Sequence, residues 1–195
     1  MSFKLGTTNN RAILIQDENY YDVEKTSEGK ISSDSVQALE SMEELKKLAS
    51  SLADFTPSGK LSEIKLGNPV PSSKNSYAVG LNYKGHAEEG GMEIPEVPMV
   101  FTKHTSCFVG PKDNVELRSD FVDYEAELVV VIGKGGKDIK EENGWEHVAG
   151  MCVGQDISDR PAQFATQPPM FNLGKSFDTF GPVSYTHLTL PTKPS

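Results

Sequence analysis

The stretch VDYEAELVVVIGK, residues 122–134, decides the fold class because it has the character of one β-strand. Side chains of a strand alternate between its two faces, so Asp123, Glu125 and Glu127 share one face. Beyond Glu127 both faces are aliphatic, and this pattern predicts a strand that is buried on both sides. Carboxylates at the start of such a strand enter a dry region together, where like charges need a cation.

Glu125 and Glu127 indicate a metal site at the start of this strand. Two residues apart on one face, they lie roughly 7 Å apart at the backbone, so their oxygens can converge on one ion. Carboxylate oxygens suit Mg²⁺ or Ca²⁺, and Mn²⁺ is also chemically acceptable. The alternative is a solvated strand end with ordinary surface acids, and the residue pattern leaves both interpretations open.

A second acidic segment, QDISDR at residues 155–160, follows the apolar run at residues 148–153. At the C-terminal end of that run, Asp156 could supply a third oxygen ligand. The alternative is a turn or a helix cap, where Asp and Ser are favoured in any case. Arg160 could bind a substrate carboxylate through a bidentate pair, or it could be an ordinary surface arginine.

A third segment, GLNYKGHAEEGG at residues 80–91, carries a candidate general base. His86 and Glu89 are three residues apart, so they are neighbours on one helical turn. A carboxylate beside an imidazole fixes its tautomer and raises its basicity. Gly85, Gly90 and Gly91 bracket the pair and would let the segment move as a lid. The alternative is a solvated histidine near a flexible loop.

The rest of the chain predicts an α+β, β-rich protein. The apolar run at residues 12–15 predicts a strand and a hairpin. Apolar residues at three-to-four spacing over residues 35–55 predict one amphipathic helix. Gly, Pro and Ser crowd around residue 70 and favour a domain boundary there. Short β-like runs follow at residues 77–80, 99–101, 121–132 and 147–153.

Composition excludes several classes of function. The 195 residues contain 19 Lys and Arg against 28 Asp and Glu, a formal net charge of −9. No basic patch is present, so we expect no nucleic-acid partner. We also expect no membrane association, because the sequence has neither a signal-peptide apolar region nor a run long enough to cross a bilayer. Cys107 and Cys152 are far apart and suit a reducing compartment, so we expect buried thiols and a cytoplasmic location.

The order of five motifs identifies a resemblance. They are GLNYKGHAEE, MVFTKHTSCFVGP, VDYEAELVVVIGK, VAGMCVGQDISDRPAQ and GKSFDTFGP. Together, over residues 77–182, they resemble the catalytic domain of the fumarylacetoacetate hydrolase family. The resemblance implies the mixed β-roll of that family over residues 71–182. Residues 1–70 resemble the small, variable α/β domain that precedes it in longer members.

The resemblance also implies roles for particular residues. It implies a divalent metal, usually Mg²⁺ with Mn²⁺ or Ca²⁺ as substitutes. By position, the metal ligands are Glu125, Glu127 and Asp156, and the catalytic residues are His86, Glu89 and Lys175. Arg160 and Gln163 match positions that face the substrate in relatives. Lys103, with Phe101 in an FxK segment, is expected on the substrate side.

The chemistry implied by the resemblance is cleavage of a C–C bond in a small oxo acid, such as an acylpyruvate. The metal would act as a Lewis acid, His86 would activate water, and Lys175 would stabilise the developing enolate. Relatives also act as isomerases, decarboxylases and lyases on similar acids, so these reactions remain alternatives. A catalytically inactive metal- or ligand-binding fragment is another. Relatives are commonly homodimers, and we expect the same here.

The last residues depart from the family pattern. After Gly181 and Pro182 the family continues with further strands, whereas this chain reads VSYTHLTLPTKPS over residues 183–195. We expect this tail to be non-native read-through and the catalytic domain to be incomplete. No functional role is therefore expected for His187.

Overall fold

The computed structural model describes residues 3–71, 73–89, 91 and 93–188, without the side chains of His86 and Leu188. The strands are β1 (Phe3–Thr8), β2 (Arg11–Gln16), β3 (Asn19–Asp22), β4 (Gly59–Lys60), β5 (Tyr77–Gly80), β6 (Met99–Thr102), β7 (Phe108–Val109), β8 (Val122–Asp123), β9 (Ala126–Ile132), β10 (Val148–Gln155), β11 (Ser158–Asp159), β12 (Gly181–Pro182) and β13 (Thr186–Leu188). The α-helices are α1 (Val23–Thr26), α2 (Ser35–Glu40), α3 (Met42–Ser50), α4 (Lys84–Glu89), α5 (Arg160–Gln163) and α6 (Phe171–Gly174).

A large antiparallel sheet organises the described residues. Its seven strands have the order β4-β3-β2-β1-β13-β10-β9. β13 lies between the N-terminal strands and the strand pair β10–β9: Leu5 pairs with Thr186, and Met151 pairs with His187. This arrangement confirms the α+β, β-rich fold class. The sheet runs across the predicted boundary near residue 70, and the division into domains stays a prediction.

The main hydrophobic core lies between the N-terminal strands and helices α2 and α3. Leu14 of β2 and Leu45 of α3 are fully buried in it. Asp34 begins α2, because its side chain accepts hydrogen bonds from the backbone N–H groups of Val36 and Gln37. The prediction of one helix over residues 35–55 was wrong in its extent. Ser41 leaves the helical conformation at φ −101° and ψ 42°, which separates α2 from α3.

The strand predicted over residues 121–132 is interrupted at Tyr124 and Glu125, which separate β8 from β9. β8 pairs with β11 in the same register in which β9 pairs with β10. The expectation that both faces of the predicted strand are buried was also wrong. β9 is the edge strand of the large sheet, and Leu128 and Ile132 on its outer face are 54% and 60% exposed. On the inner face Val131 packs in the core, as alternation of side chains requires.

Three further sheets have two strands each: β5–β6, β7–β12 and β8–β11. Phe180, Ile157 and Cys107 form a second small core. Both cysteines are buried free thiols, as predicted, and burial raises the pKa of each to about 11. Over the described ranges, the helices are too short or too polar to cross a bilayer.

Candidate active site

The candidate active site begins where the β9–β10 ladder ends. Glu127 pairs with Gly154, and the backbone N–H of Asp156 donates to the carbonyl oxygen of Glu125 at 2.9 Å. Glu125 and Asp156 are therefore directly opposite one another, a position in which Cβ atoms are about 5 Å apart. Glu127 follows Glu125 on the same face of the strand. The register thus places two of the predicted metal ligands, Glu125 and Asp156, opposite one another at one corner of the sheet, with the third, Glu127, two residues along the chain.

Lys175 joins two of these carboxylates. Its Nζ lies 2.9 Å from Oε2 of Glu125 and 2.9 Å from Oδ2 of Asp156. It also donates to Oγ of Ser158 at 2.7 Å. An ammonium has three N–H groups, so all of them have an acceptor. Lys175 is only 3% exposed, and a buried cation of this kind is stable only when it is paired and hydrogen-bonded.

Lys103 holds the other side of Asp156. Its Nζ lies 2.7 Å from Oδ1 of Asp156 and also donates to the backbone carbonyl oxygen of Lys175. Each carboxylate oxygen of Asp156 therefore faces a different ammonium. Lys103 is 5% exposed and follows β6 directly, whereas Asp156 follows β10.

Arg160 completes the cluster on the solvent side. Its guanidinium lies 2.6 Å from Oδ2 of Asp123 and 2.9 Å from Oε1 of Glu125, and it donates to Oε1 of Gln163 at 2.8 Å. The hydrogen bond from Arg160 holds the pKa of Asp123 below its usual value. Partial burial lowers the pKa of Arg160, but its bonds to Asp123 and Glu125 outweigh this effect and raise it overall.

Two short helices set the positions of Arg160 and Lys175. Asp159 begins α5, because its carboxylate accepts a hydrogen bond from the N–H of Ala162 at 2.9 Å. The capping role considered for Asp156 thus belongs to Asp159. Gly174 at the end of α6 packs against the backbone of Gln163, where an added Cβ would lie 2.6 Å from its N and Cα atoms. Lys175 follows this contact directly.

A cleft of about 380 Å³ opens beside the charged cluster. It is lined by Tyr83, residues 123–127 and Arg160. Glu125, Glu127 and Arg160 therefore border open space. Lys103, Asp156 and Lys175 lie buried behind this lining.

The predicted His86–Glu89 pair lies on α4, so a single helical turn does carry both residues. Tyr83 directly precedes this helix and lines the cleft, which places the start of α4 at its border. Glu89 is exposed, and the side chain of His86 lies outside the described atoms. The general-base role of the pair stays a prediction.

The donor chemistry of the corner fits a divalent metal ion. Glu125, Glu127 and Asp156 offer carboxylate oxygens, which Mg²⁺, Ca²⁺ and Mn²⁺ prefer. Oxygens from Glu125 and Asp156 already converge on one cation, the ammonium of Lys175. Within residues that the structure describes, no three His, Cys, Asp or Glu side chains are grouped to hold an ion as they stand. A metal held by these carboxylates would share them with Lys175.

The sequence had not assigned Ser158, Asp123 or Tyr83 to the site. Ser158 is fully buried and accepts from Lys175, and Asp123 binds Arg160. The period of two along extended backbone could have revealed the first two, since Ser158 follows Asp156 by two residues and Asp123 precedes Glu125 by two. The sequence contains no comparable signal for Tyr83.

Comparison with known proteins gives a family match. The model described as "Fumarylacetoacetate (FAA) hydrolase C-terminal" matches residues 75–193, more than half of the chain. The human protein "Oxaloacetate tautomerase FAHD2A, mitochondrial" is 43% identical over 124 residues, which are 63% of this chain and 40% of the human protein. The chain spans about two fifths of the length of the curated relatives it matches.

Solved structures show the same fold. A fumarylacetoacetate hydrolase from Exiguobacterium antarcticum superposes with a TM-score of 0.70 at 25% identity, covering 97% of this chain and 67% of that chain. A maleylpyruvate hydrolase from Sphingobium sp. SYK-6, solved with manganese(II) and pyruvate, gives a TM-score of 0.75 at 22% identity. That match covers 95% of this chain and 66% of the other, and at this identity it supports the fold alone.

Proposed function

This chain belongs to the fumarylacetoacetate hydrolase family, and from that premise we propose that it serves a metal-dependent reaction on a small 2-oxo acid. The specific reaction that we propose is hydrolysis of the C–C bond of an acylpyruvate. The family includes enzymes named as hydrolases, isomerases and tautomerases, so the family alone does not select the reaction.

One observation carries the proposal: two carboxylates from adjacent strands converge on a buried lysine beside an open cleft. Oε2 of Glu125 and Oδ2 of Asp156 both lie 2.9 Å from Nζ of Lys175. A corner of this kind has anionic oxygens for a divalent cation and a fixed positive charge next to them. That combination suits a substrate that binds as an anion and becomes more negative during the reaction.

Glu125, Glu127 and Asp156 would hold the metal, and Mg²⁺ or Mn²⁺ suits these ligands. When bound, the metal would supply Lewis-acid polarisation of the substrate oxygens. The Sphingobium maleylpyruvate hydrolase, whose fold this chain shares, was itself solved with manganese(II) and pyruvate. Arg160 borders the cleft, and we assign it the binding of a substrate carboxylate.

The proton transfers are assigned to α4. His86, oriented by Glu89, would take a proton from water as the water oxygen bonds to the distal carbonyl carbon of the acylpyruvate. The bond between that carbon and the neighbouring CH₂ then breaks, and its electron pair passes into the enolate of pyruvate. Lys175, behind the lining of the cleft, would offset this negative charge through its electrostatic field until His86 returns the proton to the CH₂ carbon. The products are a carboxylic acid and pyruvate.

A second candidate function is tautomerisation of oxaloacetate. The human relative at 43% identity is named an oxaloacetate tautomerase, which favours this reaction. Tautomerisation moves a proton between carbon and oxygen of the same 2-oxo acid and breaks no C–C bond. The same three carboxylates would hold the metal for this reaction, and His86 with Glu89 would transfer the proton.

The two reactions are separated by their products. We would incubate the 195-residue protein with an acylpyruvate or with oxaloacetate, in Mg²⁺ or Mn²⁺ or with excess chelator, and follow the near-ultraviolet absorbance. Pyruvate would be measured in parallel by coupled reduction. Hydrolysis predicts metal-dependent release of pyruvate from the acylpyruvate, whereas tautomerisation predicts faster enol–keto exchange of oxaloacetate without pyruvate.

Glu125→Gln is the matched test of the site, since it keeps the shape of the side chain and removes its charge. We expect it to lose at least about 100-fold in rate, because it removes both a metal ligand and a partner of Lys175. The exposed residue Glu40 on α2 offers the control Glu40→Gln, which should react as wild type. Metal-independent turnover, or equal rates for both variants, would refute the proposal.

The expected partners and location belong to the same proposal. We propose a homodimer with a small oxo acid as its substrate and no nucleic-acid partner. The cytoplasmic location stays a prediction from cysteine usage, and the human relative carries the word mitochondrial in its name.

A further inference from the structure

We infer that Lys103 is a positioning residue, which fixes Lys175 and Asp156 from behind the site and does not contact the substrate. This inference rests on the proposed function for its effect on turnover. The structural part of the inference, an anchor between β6 and the end of α6, does not depend on that function.

The ammonium of Lys103 lies away from the cleft. Lys103 is 5% exposed and does not border the cleft, which is lined instead by Tyr83, residues 123–127 and Arg160. Its Nζ donates hydrogen bonds to Oδ1 of Asp156 at 2.7 Å and to the backbone carbonyl oxygen of Lys175. A lysine engaged in this way holds one side chain and one backbone at the same time.

Two residues close to Lys103 in the sequence, Phe101 and His104, also contact α6 or the residues that follow it. The ring of Phe101 lies 5.6 Å from the ring of Phe171 at the start of α6, and 5.7 Å from Nζ of Lys175. The backbone N–H of His104 donates to Oγ of Ser176 at 3.0 Å, just beyond the helix. Three successive contacts from one extended segment thus bind both ends of α6.

The position of the Lys175 ammonium depends on this anchor. α6 has only four residues, and a helix this short is stabilised by tertiary contacts and not by its own hydrogen bonds. Lys175 must reach Glu125, Asp156 and Ser158 together from the end of α6. A displacement of about 1 Å at a reacting group can cost about 100-fold in rate. Loss of the Lys103 bond to the Lys175 carbonyl would allow such a displacement.

The carboxylate of Asp156 is shared between two cations. Lys103 faces Oδ1 and Lys175 faces Oδ2, so Asp156 keeps a buried counter-ion on one side even when Oδ2 turns to another cation. A buried carboxylate left without a partner is strongly destabilising. Lys103 is therefore the permanent partner of Asp156, and Lys175 is the one that faces the cleft-side carboxylate Glu125.

The test compares Lys103→Met with the control Lys112→Met, which makes the same change at an exposed position. Backbone amide exchange over residues 171–176 reports the anchor, and exchange over β2 reports the global fold. We expect exchange at 171–176 to become at least about 10-fold faster in Lys103→Met, with β2 unchanged. We expect kcat on the better of the two proposed substrates to fall at least about 10-fold, with KM within about 3-fold.

Two results would overturn the inference. One is wild-type exchange at residues 171–176 in Lys103→Met. The other is a raised KM with unchanged kcat, which is the result expected if Lys103 bound the substrate directly, as the sequence had suggested. If the wild-type protein turns over neither substrate, the proposed function fails, and the exchange measurement still decides the anchor.

A second variant covers the case in which Lys103→Met does not fold. Ser176→Ala removes only the acceptor of the His104 N–H and leaves every charge in place. We expect faster exchange over residues 171–176 and a smaller fall in kcat than in Lys103→Met. Wild-type values of both would contradict the anchor between β6 and α6.

Discussion

Lys175 donates hydrogen bonds to three side chains of the site, and its burial explains why. A buried ammonium is costly unless every N–H has an acceptor, and Glu125, Asp156 and Ser158 supply them. The two carboxylates are stabilised as well, because the ammonium between them offsets their mutual repulsion. The corner is thus a set of mutually dependent charges, and we expect single substitutions in it to have non-additive effects.

Asp22, in the N-terminal strands, is likewise a buried charged group that is stabilised by hydrogen bonds. Its carboxylate accepts two hydrogen bonds from Arg11, at 2.7 and 2.9 Å, and one from the N–H of Lys25 at 3.0 Å. Burial raises the pKa of Asp22, but the bonds from Arg11 and Lys25 outweigh burial and lower the pKa overall. A lowered pKa means that its stabilisation is present above the unfolded value, about 4, and is lost as the pH falls through the folded value.

We therefore predict that Asp22→Asn is less stable than wild type at pH 7 by about 1–3 kcal/mol, because a neutral amide cannot replace the charged hydrogen bonds that the buried carboxylate accepts. The difference should shrink as the pH falls below about 4. Denaturant unfolding at pH 7 and pH 3 measures it, with the exposed Asp54→Asn as control. A difference that does not change with pH would contradict the assignment.

Individual residue types were predictable from the sequence, but their partners were not. The paired glutamates, Asp156 and Lys175 were each identified from local motifs and the resemblance. The contact of Lys175 with Glu125 joins residues 50 apart, and that of Lys103 with Asp156 joins residues 53 apart. Such contacts depend on how several elements pack, and no local period in the sequence encodes them.

At the scale of elements, the close contact between α5 and α6 controls the site. Gly174 lies against the backbone of Gln163, and a backbone cannot move aside as a flexible side chain can. α5 carries Arg160 and Gln163, and Lys175 follows the end of α6, so the separation of these helices sets the distance between Arg160 and Lys175.

We predict that Gly174→Ala separates α6 from α5. The new Cβ would lie 2.6 Å from Gln163 N and Cα, and overpacking of this kind typically costs about 1–3 kcal/mol. We expect the rate to fall at least about 10-fold, since Lys175 moves with the helix. Steady-state kinetics and denaturant unfolding measure both effects. The control is Gly135→Ala, where an added Cβ would meet nothing within 4 Å, and equal behaviour of the two variants would refute the prediction.

The sequence predicted which segments form helices and strands better than where they end. Residues 12–15, 77–80 and 99–101 do lie in strands. The long helix and the long strand each proved to be two elements, because their ends depend on tertiary contacts. The strand is interrupted at Tyr124 and Glu125, although β8 pairs with β11 in the same register that β9 keeps with β10, and apolar periodicity carries no sign of this interruption.

At the scale of the whole molecule, the large sheet connects the N-terminal strands with the strands that carry the site. Thr186 of β13 pairs with Leu5 of β1, and its neighbour His187 pairs with Met151 of β10. Residues 186–188 belong to the segment predicted as a non-native tail. Its origin stays a prediction, and in the structure these residues nevertheless complete the hydrogen bonding between the two halves of the sheet.

We propose that Glu125, Glu127 and Asp156 hold one divalent cation, while His86 acts on the substrate without holding the metal. Titration of the 195-residue protein with Mn²⁺, followed by electron paramagnetic resonance, tests both parts on wild type, Glu125→Gln and His86→Ala. We predict that Glu125→Gln weakens Mn²⁺ binding at least about 100-fold and that His86→Ala binds Mn²⁺ as wild type does. Wild-type affinity in Glu125→Gln, or an equal loss in both variants, would contradict the account.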